Sequence, residues 1–190
     1  MSEKDYVGIV LAGGKSSRMG RDKSTLTHNG KTFLEIQVDK LKTLDLNKII
    51  VSGKDFSVPG TLPVPDIIED KGPLGGMYSC FEKCHGCPAL VISVDVPLIS
   101  PDTLGSLLEA YEKSDCDAVL LSYKDRPEPL IAVYNTHTSH ILKDLIDAGD
   151  LAVSSFLSRL RCKAVFFKGN PQELLNCNSP ADLDLIFKKS

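Results

Sequence analysis

The run Leu11-Ala12-Gly13-Gly14-Lys15-Ser16-Ser17-Arg18-Met19-Gly20-Arg21-Asp22-Lys23 combines small residues with clustered charge. Paired glycines let backbone N–H groups approach phosphate oxygens with no Cβ in the way, and the nearby bases supply countercharge. Lys15, Arg18, Arg21 and Lys23 stand against the single acid Asp22, in a chain whose formal net charge is −3. A polyanionic ligand must therefore meet this local patch, and nucleic acid held by bulk electrostatics is excluded. Two better-known phosphate loops are not supported. Gly14-Lys15-Ser16 would need a glycine where Ile9 stands, and Gly30-Lys31-Thr32 would need one at Thr25, so neither completes a Walker A loop. No G-x-G-x-x-G follows the first apolar run, which removes the main support for a dinucleotide-binding dehydrogenase.

Two further loops carry suitable chemistry. Asp95-Val96-Pro97-Leu98 follows the apolar Val91-Ile92-Ser93-Val94. A carboxylate at the end of a central strand, with proline closing the strand, is placed to hold Mg²⁺ beside bound phosphates. The third loop is Ile67-Ile68-Glu69-Asp70-Lys71-Gly72-Pro73-Leu74-Gly75-Gly76-Met77. Its Asp70 can accept a hydrogen bond from a ligand, and Gly72, Gly75 and Gly76 are expected to leave room for a flat group.

The elements that position these loops alternate. The spacing predicts strands over Tyr6 to Leu11, Lys48 to Val51, Val64 to Ile68 and Leu90 to Val94, with helices over Phe33 to Leu44 and Leu74 to Lys83. Pro101-Asp102 opens a further helix, and Asp117 to Ser122 and Pro129 to Tyr134 are strands too close together for a crossover helix, so this pair is predicted antiparallel. Helices over His137 to Ala148 and Val153 to Arg159, a strand Ala164 to Phe167 and a last helix Pro180 to Lys188 complete the pattern. The expected fold is α/β: three layers, Rossmann-like, around a mostly parallel, mixed central sheet. Ligands in such sheets gather at the carboxyl ends of the strands, where all three loops fall.

With 190 residues, the chain is long enough for one good core, and one domain over 1–190 is expected. Hydrophobic residues at 42% and charged residues at 25% match ordinary globular proteins rather than disordered or fibrous ones. No apolar stretch approaches the roughly 18 residues of a membrane span. Met1-Ser2-Glu3-Lys4-Asp5 leads into an apolar strand without a signal-peptide pattern, so a cytoplasmic protein is expected. Cys84-His85-Gly86-Cys87 has the spacing of half a zinc site, but no second close pair completes it, and the six cysteines are expected to stay reduced. His28, His85, His137 and His140 fall at no predicted strand's carboxyl end and read as exposed or capping residues.

Leu11-Ala12-Gly13-Gly14, Arg18-Met19-Gly20, Asp22-Lys23, Gly72 to Met77, Asp95-Val96-Pro97 and Asn176-Cys177-Asn178-Ser179-Pro180 together resemble the molybdenum cofactor guanylyltransferase family over nearly the whole chain. The glycine loop alone resembles the wider nucleotidyltransferase superfamily; the Gly72 to Met77 run and the Asn-x-Asn-x-Pro segment narrow it. The resemblance implies a nucleotidyltransferase fold and transfer of GMP from GTP to molybdopterin, with Mg²⁺ as cofactor. It implies that Leu11, Ala12, Gly13, Gly14 and Lys23 bind GTP, with Arg18 and Lys23 neutralising the triphosphate. Asp70 and Ser52 would contact the nucleotide, Asp95 would bind both GTP and Mg²⁺, and Asn176 and Asn178 would lie near the pterin. Ser52 stands where the family often carries asparagine, and Leu151-Ala152 where some members carry two arginines. The implied partners are these two substrates, with no nucleic acid or membrane, and transient contacts with other molybdenum cofactor biosynthesis proteins and recipient molybdoenzymes. Two alternatives stay open: a cytidylyltransferase for the same pterin or another small phosphorylated acceptor, and a non-catalytic nucleotide-binding accessory protein.

Overall fold

A β-branched, apolar run with no polar interruption can hide on both faces only inside a sheet, and β1 (Val7–Leu11) is buried at all five residues. The computed structural model describes residues 5–12, 24, 26–28, 30–177 and 182. Around β1 a seven-stranded sheet forms in the order β5-β4-β1-β6-β8-β7-β9. Its other strands are β4 (Lys48–Ser52), β5 (Leu62–Val64), β6 (Ala89–Ser93), β7 (Ala118–Tyr123), β8 (Arg126–Tyr134) and β9 (Cys162–Phe166). Parallel ladders join β1 to β4 and β6, β4 to β5, and β7 to β9, whereas β8 runs antiparallel to both β6 and β7. One strand is thus reversed, and the mixed sheet expected from the short β7–β8 connection is present. The two-residue strands β2 (Thr27–His28) and β3 (Lys31–Thr32) form a separate small ladder.

Strand side chains alternate between faces, so each strand feeds two cores. Val10, Ile49, Val51, Leu90, Ile92, Val119 and Leu121 pack with helices α1 (Phe33–Leu41) and α3 (Pro101–Glu112). Val7, Ile9, Leu11, Ile50, Ala89, Val91, Ala118 and Leu120 pack on the opposite face with α2 (Gly72–Glu82), α4 (Ser139–Asp147) and α5 (Val153–Leu157). Three layers result, as expected. Helix α1 starts at a capping box: Thr32 Oγ1 accepts from the Glu35 N–H at 3.1 Å while the Glu35 carboxylate accepts from the Thr32 N–H at 2.7 Å.

Several boundaries differ from the sequence expectation. The strand expected over Val64 to Ile68 lies earlier, at Leu62–Val64. The predicted helix from His137 splits into a 3-10 turn, Thr136–Thr138, and α4. Helix α1 stops at Leu41, before the expected Leu44. The expected last helix, Pro180 to Lys188, lies outside the described residues apart from helical Asp182.

Candidate active site

Because β5, β4, β1 and β6 are parallel, the chain leaving each of them emerges on one edge of the sheet. Ala12 follows β1, Ser52 ends β4, and Val94 to Pro97 follow β6. Hydrogen bonds stitch these three exits together. The Ala12 N–H donates to Ser52 Oγ at 3.2 Å. The Val94 N–H donates to the Leu11 carbonyl at 3.2 Å. Leu11, Ala12 and Ser52 are all buried, so they form the floor of the edge.

Asp95 stands one residue beyond this floor, at the end of the fourth of seven strands, partly exposed. Its carbonyl accepts the Cys177 N–H at 2.8 Å. That bond brings exposed Asn176 to the same edge, although β6 and the C-terminal segment are far apart in sequence. Gln37 and Lys40 of α1 hold the Asp95 turn from below. Gln37 Nε2 donates to the Ser93 carbonyl at 2.8 Å and to the Val96 carbonyl at 3.0 Å, and Lys40 Nζ donates to the Pro97 carbonyl. Burial lowers the Lys40 ammonium to about 8, a shift the opposing charge of Glu173 partly offsets.

The reversed strand β8 adds a residue that the sequence reading missed. Ile131 pairs with Ile92, so the part of β8 before Ile131 runs past the carboxyl end of β6. There the β7–β8 register jumps: Leu120 faces Ala132 and Leu121 faces Glu128. The Tyr134 hydroxyl donates to the Pro129 carbonyl at 2.7 Å across this irregularity. Bulges re-aim side chains near sites, and here the carboxylate brought to the edge is that of Glu128. Its own burial, and secondarily the negative charge of Asp95, raise the Glu128 carboxyl above its ordinary value. A carboxylate between two prolines, Pro127-Glu128-Pro129, was the available signal, but it becomes meaningful only once β8 is known to run backwards.

Asp70 is exposed in the loop entering α2 and adopts a positive φ of 59°, next to Gly72 at 58°. Among the described residues nothing would meet a Cβ at Gly72 within 4 Å. The expected room at Gly75 and Gly76 is not there. A Cβ at Gly75 would lie 2.9 Å from Lys71 Cβ, and one at Gly76 would lie 3.4 Å from Ser52 Oγ and 3.5 Å from Leu11 Cδ2. Gly76 instead faces Ser52 and Leu11 of the floor at ordinary contact distance, while Gly75 lies tightly against Lys71 and the Ile68 carbonyl. Gly13, Gly14, Arg18, Lys23 and Asn178 lie outside the described residues.

The rival sites fall elsewhere. Cys84, His85 and Cys87 precede β6, and His137 and His140 follow reversed β8, so all five sit at the opposite edge of the sheet. The Cys84 thiol is buried, donates to the Cys80 carbonyl at 3.2 Å, and is pushed up to about 12 by its burial. His28 ends the small strand β2, outside the main sheet. Among the described residues no group of three or more His, Cys, Asp or Glu side chains could hold a metal ion. Asp95 and Glu128 are hard oxygen donors at the same edge of the sheet, and the negative charge of Asp95 contributes to raising the Glu128 carboxyl. That set fits Mg²⁺, which is held by one or two carboxylates and completes its shell with substrate phosphates and water. Among the described residues no helix is long and apolar enough to cross a membrane.

The family model of the MobA-like NTP transferase domain matches residues 8–164. The molybdenum cofactor guanylyltransferase of Xanthomonas euvesicatoria pv. vesicatoria is 31% identical over 182 residues, which span 94% of this chain and 92% of that one. The protein of the same name from Yersinia pestis is 28% identical over 192 residues, 98% of this chain and 97% of its own. The crystal structure of molybdopterin-guanine dinucleotide biosynthesis protein A from Archaeoglobus fulgidus has a TM-score of 0.82 at 23% identity, covering 96% of this chain and 97% of that chain. The three-layer sheet is therefore the nucleotidyltransferase fold that the sequence led us to expect.

Proposed function

The chain belongs to the MobA-like NTP transferase family, and on that footing we propose that it transfers GMP from GTP to molybdopterin, forming molybdopterin guanine dinucleotide and releasing pyrophosphate. The observation that carries this reading is the convergence at one sheet edge of the phosphate-loop root, Ala12 on Ser52, with the Asp95 turn and the Cys177 anchor. The length of chain shared with relatives named for this activity supports it.

In this reading the backbone of Leu11, Ala12, Gly13 and Gly14 cradles the triphosphate, while Arg18 and Lys23 neutralise it. Ser52 and Asp70 contact the nucleotide side, Ser52 through the loop it anchors. Asn176 and Asn178 hold the pterin, and Asn176 lies close to the reacting phosphates because its neighbour Cys177 is bonded to Asp95. An oxygen of the molybdopterin phosphate attacks the α-phosphorus of GTP. The new P–O bond forms as the bond to the β-phosphate oxygen breaks, and the pair leaves with pyrophosphate. No general base is required, because a phosphate monoester with a second pKa near ~6 is already mostly dianionic at neutral pH. Asp95, with Glu128 at the same sheet edge, would hold Mg²⁺, which when bound supplies positive charge against the leaving pyrophosphate. The protein's part is positioning and electrostatics. The enzyme would work in the cytoplasm, on two small molecules and in transient contact with the proteins that make and receive the cofactor.

The test is pyrophosphate release with molybdopterin and each of GTP, CTP, ATP and UTP. Release with GTP alone is expected. Equal kcat/KM for GTP and CTP would replace the guanine assignment with the cytidylyltransferase, and no release from any of the four would leave the binding protein.

A further inference from the structure

Gln37 is a polar residue in an apolar stripe. Phe33, Leu34, Val38 and Leu41 are the other buried residues of α1, and Gln37 is fully buried among them. An amide buried in such a stripe costs several kcal/mol unless its hydrogen bonds are made. Here they are made, and both donated bonds go to one segment. The two Nε2 protons go to the carbonyls of Ser93 and Val96, which bracket Asp95. Its Oε1 accepts Lys40 Nζ at 3.2 Å, so the amide can sit only one way round; the flipped form would set an oxygen against two carbonyls. Lys40 carries the grip one residue further, to the Pro97 carbonyl. Glu173 fixes the far end of the turn, accepting from the Ser100 N–H and from Thr103 Oγ1, each at 2.9 Å.

We propose that Gln37 is a positioning residue for the transfer reaction. With Lys40 it clamps the main chain on both sides of Asp95, so that the carboxylate is presented to the metal and GTP in one orientation. The inference rests on the reading of Asp95 as the metal ligand. No contact of Gln37 with the Asp95 side chain is involved. The clamp acts on carbonyls of an irregular turn between a strand and a helix, of which that of Val96 also accepts the Ile99 N–H at 3.2 Å. Groups that orient a metal ligand from behind change metal affinity or turnover by about 10–100-fold when removed.

The experiment compares Gln37→Met, Lys40→Met, Lys40→Arg and Asp95→Asn with the parent chain. Three readouts are taken: Mn²⁺ binding in the presence of GTP, followed by the loss of the free-ion electron paramagnetic resonance signal; kcat and GTP KM at saturating Mg²⁺; and thermal melting. Gln37→Met keeps the length of the side chain and removes its donors. It is expected to weaken Mn²⁺ binding and lower kcat by about tenfold each, with GTP KM changed less than about twofold. Lys40→Met should move the same quantities in the same direction by less, and Lys40→Arg should restore them, because a donor again reaches Pro97. In the Asp95→Asn background Gln37→Met should weaken Mn²⁺ binding no further. A folded Gln37→Met with parental Mn²⁺ affinity and kcat, altered only in melting temperature, would reduce Gln37 to a structural role and overturn the proposal. Should Gln37→Met not fold, the same measurements on Lys40→Met decide. If Asp95→Asn itself binds Mn²⁺ and turns over normally, the metal reading fails; if Asp95→Asn is impaired and Gln37→Met is not, the clamp alone fails.

Discussion

Ser52 Oγ accepts the Ala12 N–H at 3.2 Å, tying the exit of β1 to the exit of β4. Both residues are buried, so replacing the hydroxyl leaves a main-chain donor without its partner. Ser52→Ala is expected to destabilise the fold by about 1–2 kcal/mol and to weaken GTP binding through the loop that Ala12 begins. Urea unfolding and GTP titration measure the two effects. An unchanged urea midpoint would mean that the Ala12 donor finds another acceptor.

Asp95→Asn keeps size and shape and removes the charge that a hard cation requires. Turnover should fall about a hundredfold or more, with GTP affinity reduced much less, because the charge is needed most as pyrophosphate departs. Initial rates alongside a melting curve check this. A variant with a parental melting point and near-parental kcat would move the metal to another carboxylate, with Glu128 and Asp70 the groups to test next.

The adjacent glycines of α2 should respond oppositely to alanine. At Gly75 the new methyl would press on Lys71 Cβ at 2.9 Å and the Ile68 carbonyl at 3.1 Å, a clash expected to cost roughly 1–3 kcal/mol. At Gly76 the nearest atoms lie at 3.4 and 3.5 Å, ordinary contact, and helix propensity should make Gly76→Ala neutral or stabilising by up to ~1 kcal/mol. Melting temperatures that fall equally for both variants would contradict the packing described here.

Asp117 accepts Arg161 through three donors, the backbone N–H at 2.9 Å, Nε at 3.1 Å and Nη2 at 3.0 Å, at the start of β9. Those side-chain and backbone hydrogen bonds hold the Asp117 carboxyl below its ordinary value. The folded state therefore releases this proton more readily than the unfolded chain does. The stabilisation is complete above the unfolded value, roughly pH 4, and is lost as pH falls through the lower folded value. Asp117→Asn should melt below the parent at pH 7, and the gap should narrow as the solution is acidified past pH ~4. A gap that stays constant down to acid pH would assign the effect to shape rather than charge.

Much of this arrangement is legible in the residues alone. Apolar runs such as Ala89 to Ile92 announce buried strands, and a carboxylate just past one of them marks Asp95. The glycines of Gly72 to Met77 are visible too, but their use is not: only the folded segment shows that Gly75 serves close packing against Lys71 and the Ile68 carbonyl, whereas Gly76 meets Ser52 and Leu11 at ordinary distance. Glu128 was missed because its meaning depends on the direction of β8. Gln37 was missed because a glutamine inside an amphipathic pattern looks like its solvent face. Its spacing with Leu34, Val38 and Leu41, the helical i, i+3, i+4 and i+7 of one stripe, was the clue.

The pairing of β1 also sets a timetable for synthesis. β1 leaves the ribosome well before β6, yet Val7 pairs with Ala89 and Leu11 with Ser93. About 80 residues must follow before its second neighbour exists, an interval on the order of 4–16 s at translation rates of about 5–20 residues per second. During that interval Val7, Ile9, Val10 and Leu11 have no complete sheet to enter, and one side of their backbone has no ladder. The nascent chain therefore keeps an apolar segment, destined for full burial, exposed through that whole interval. A holdase that binds short extended apolar peptides should be found on ribosomes stalled before residue 93 and should be gone from those stalled after β8 has emerged.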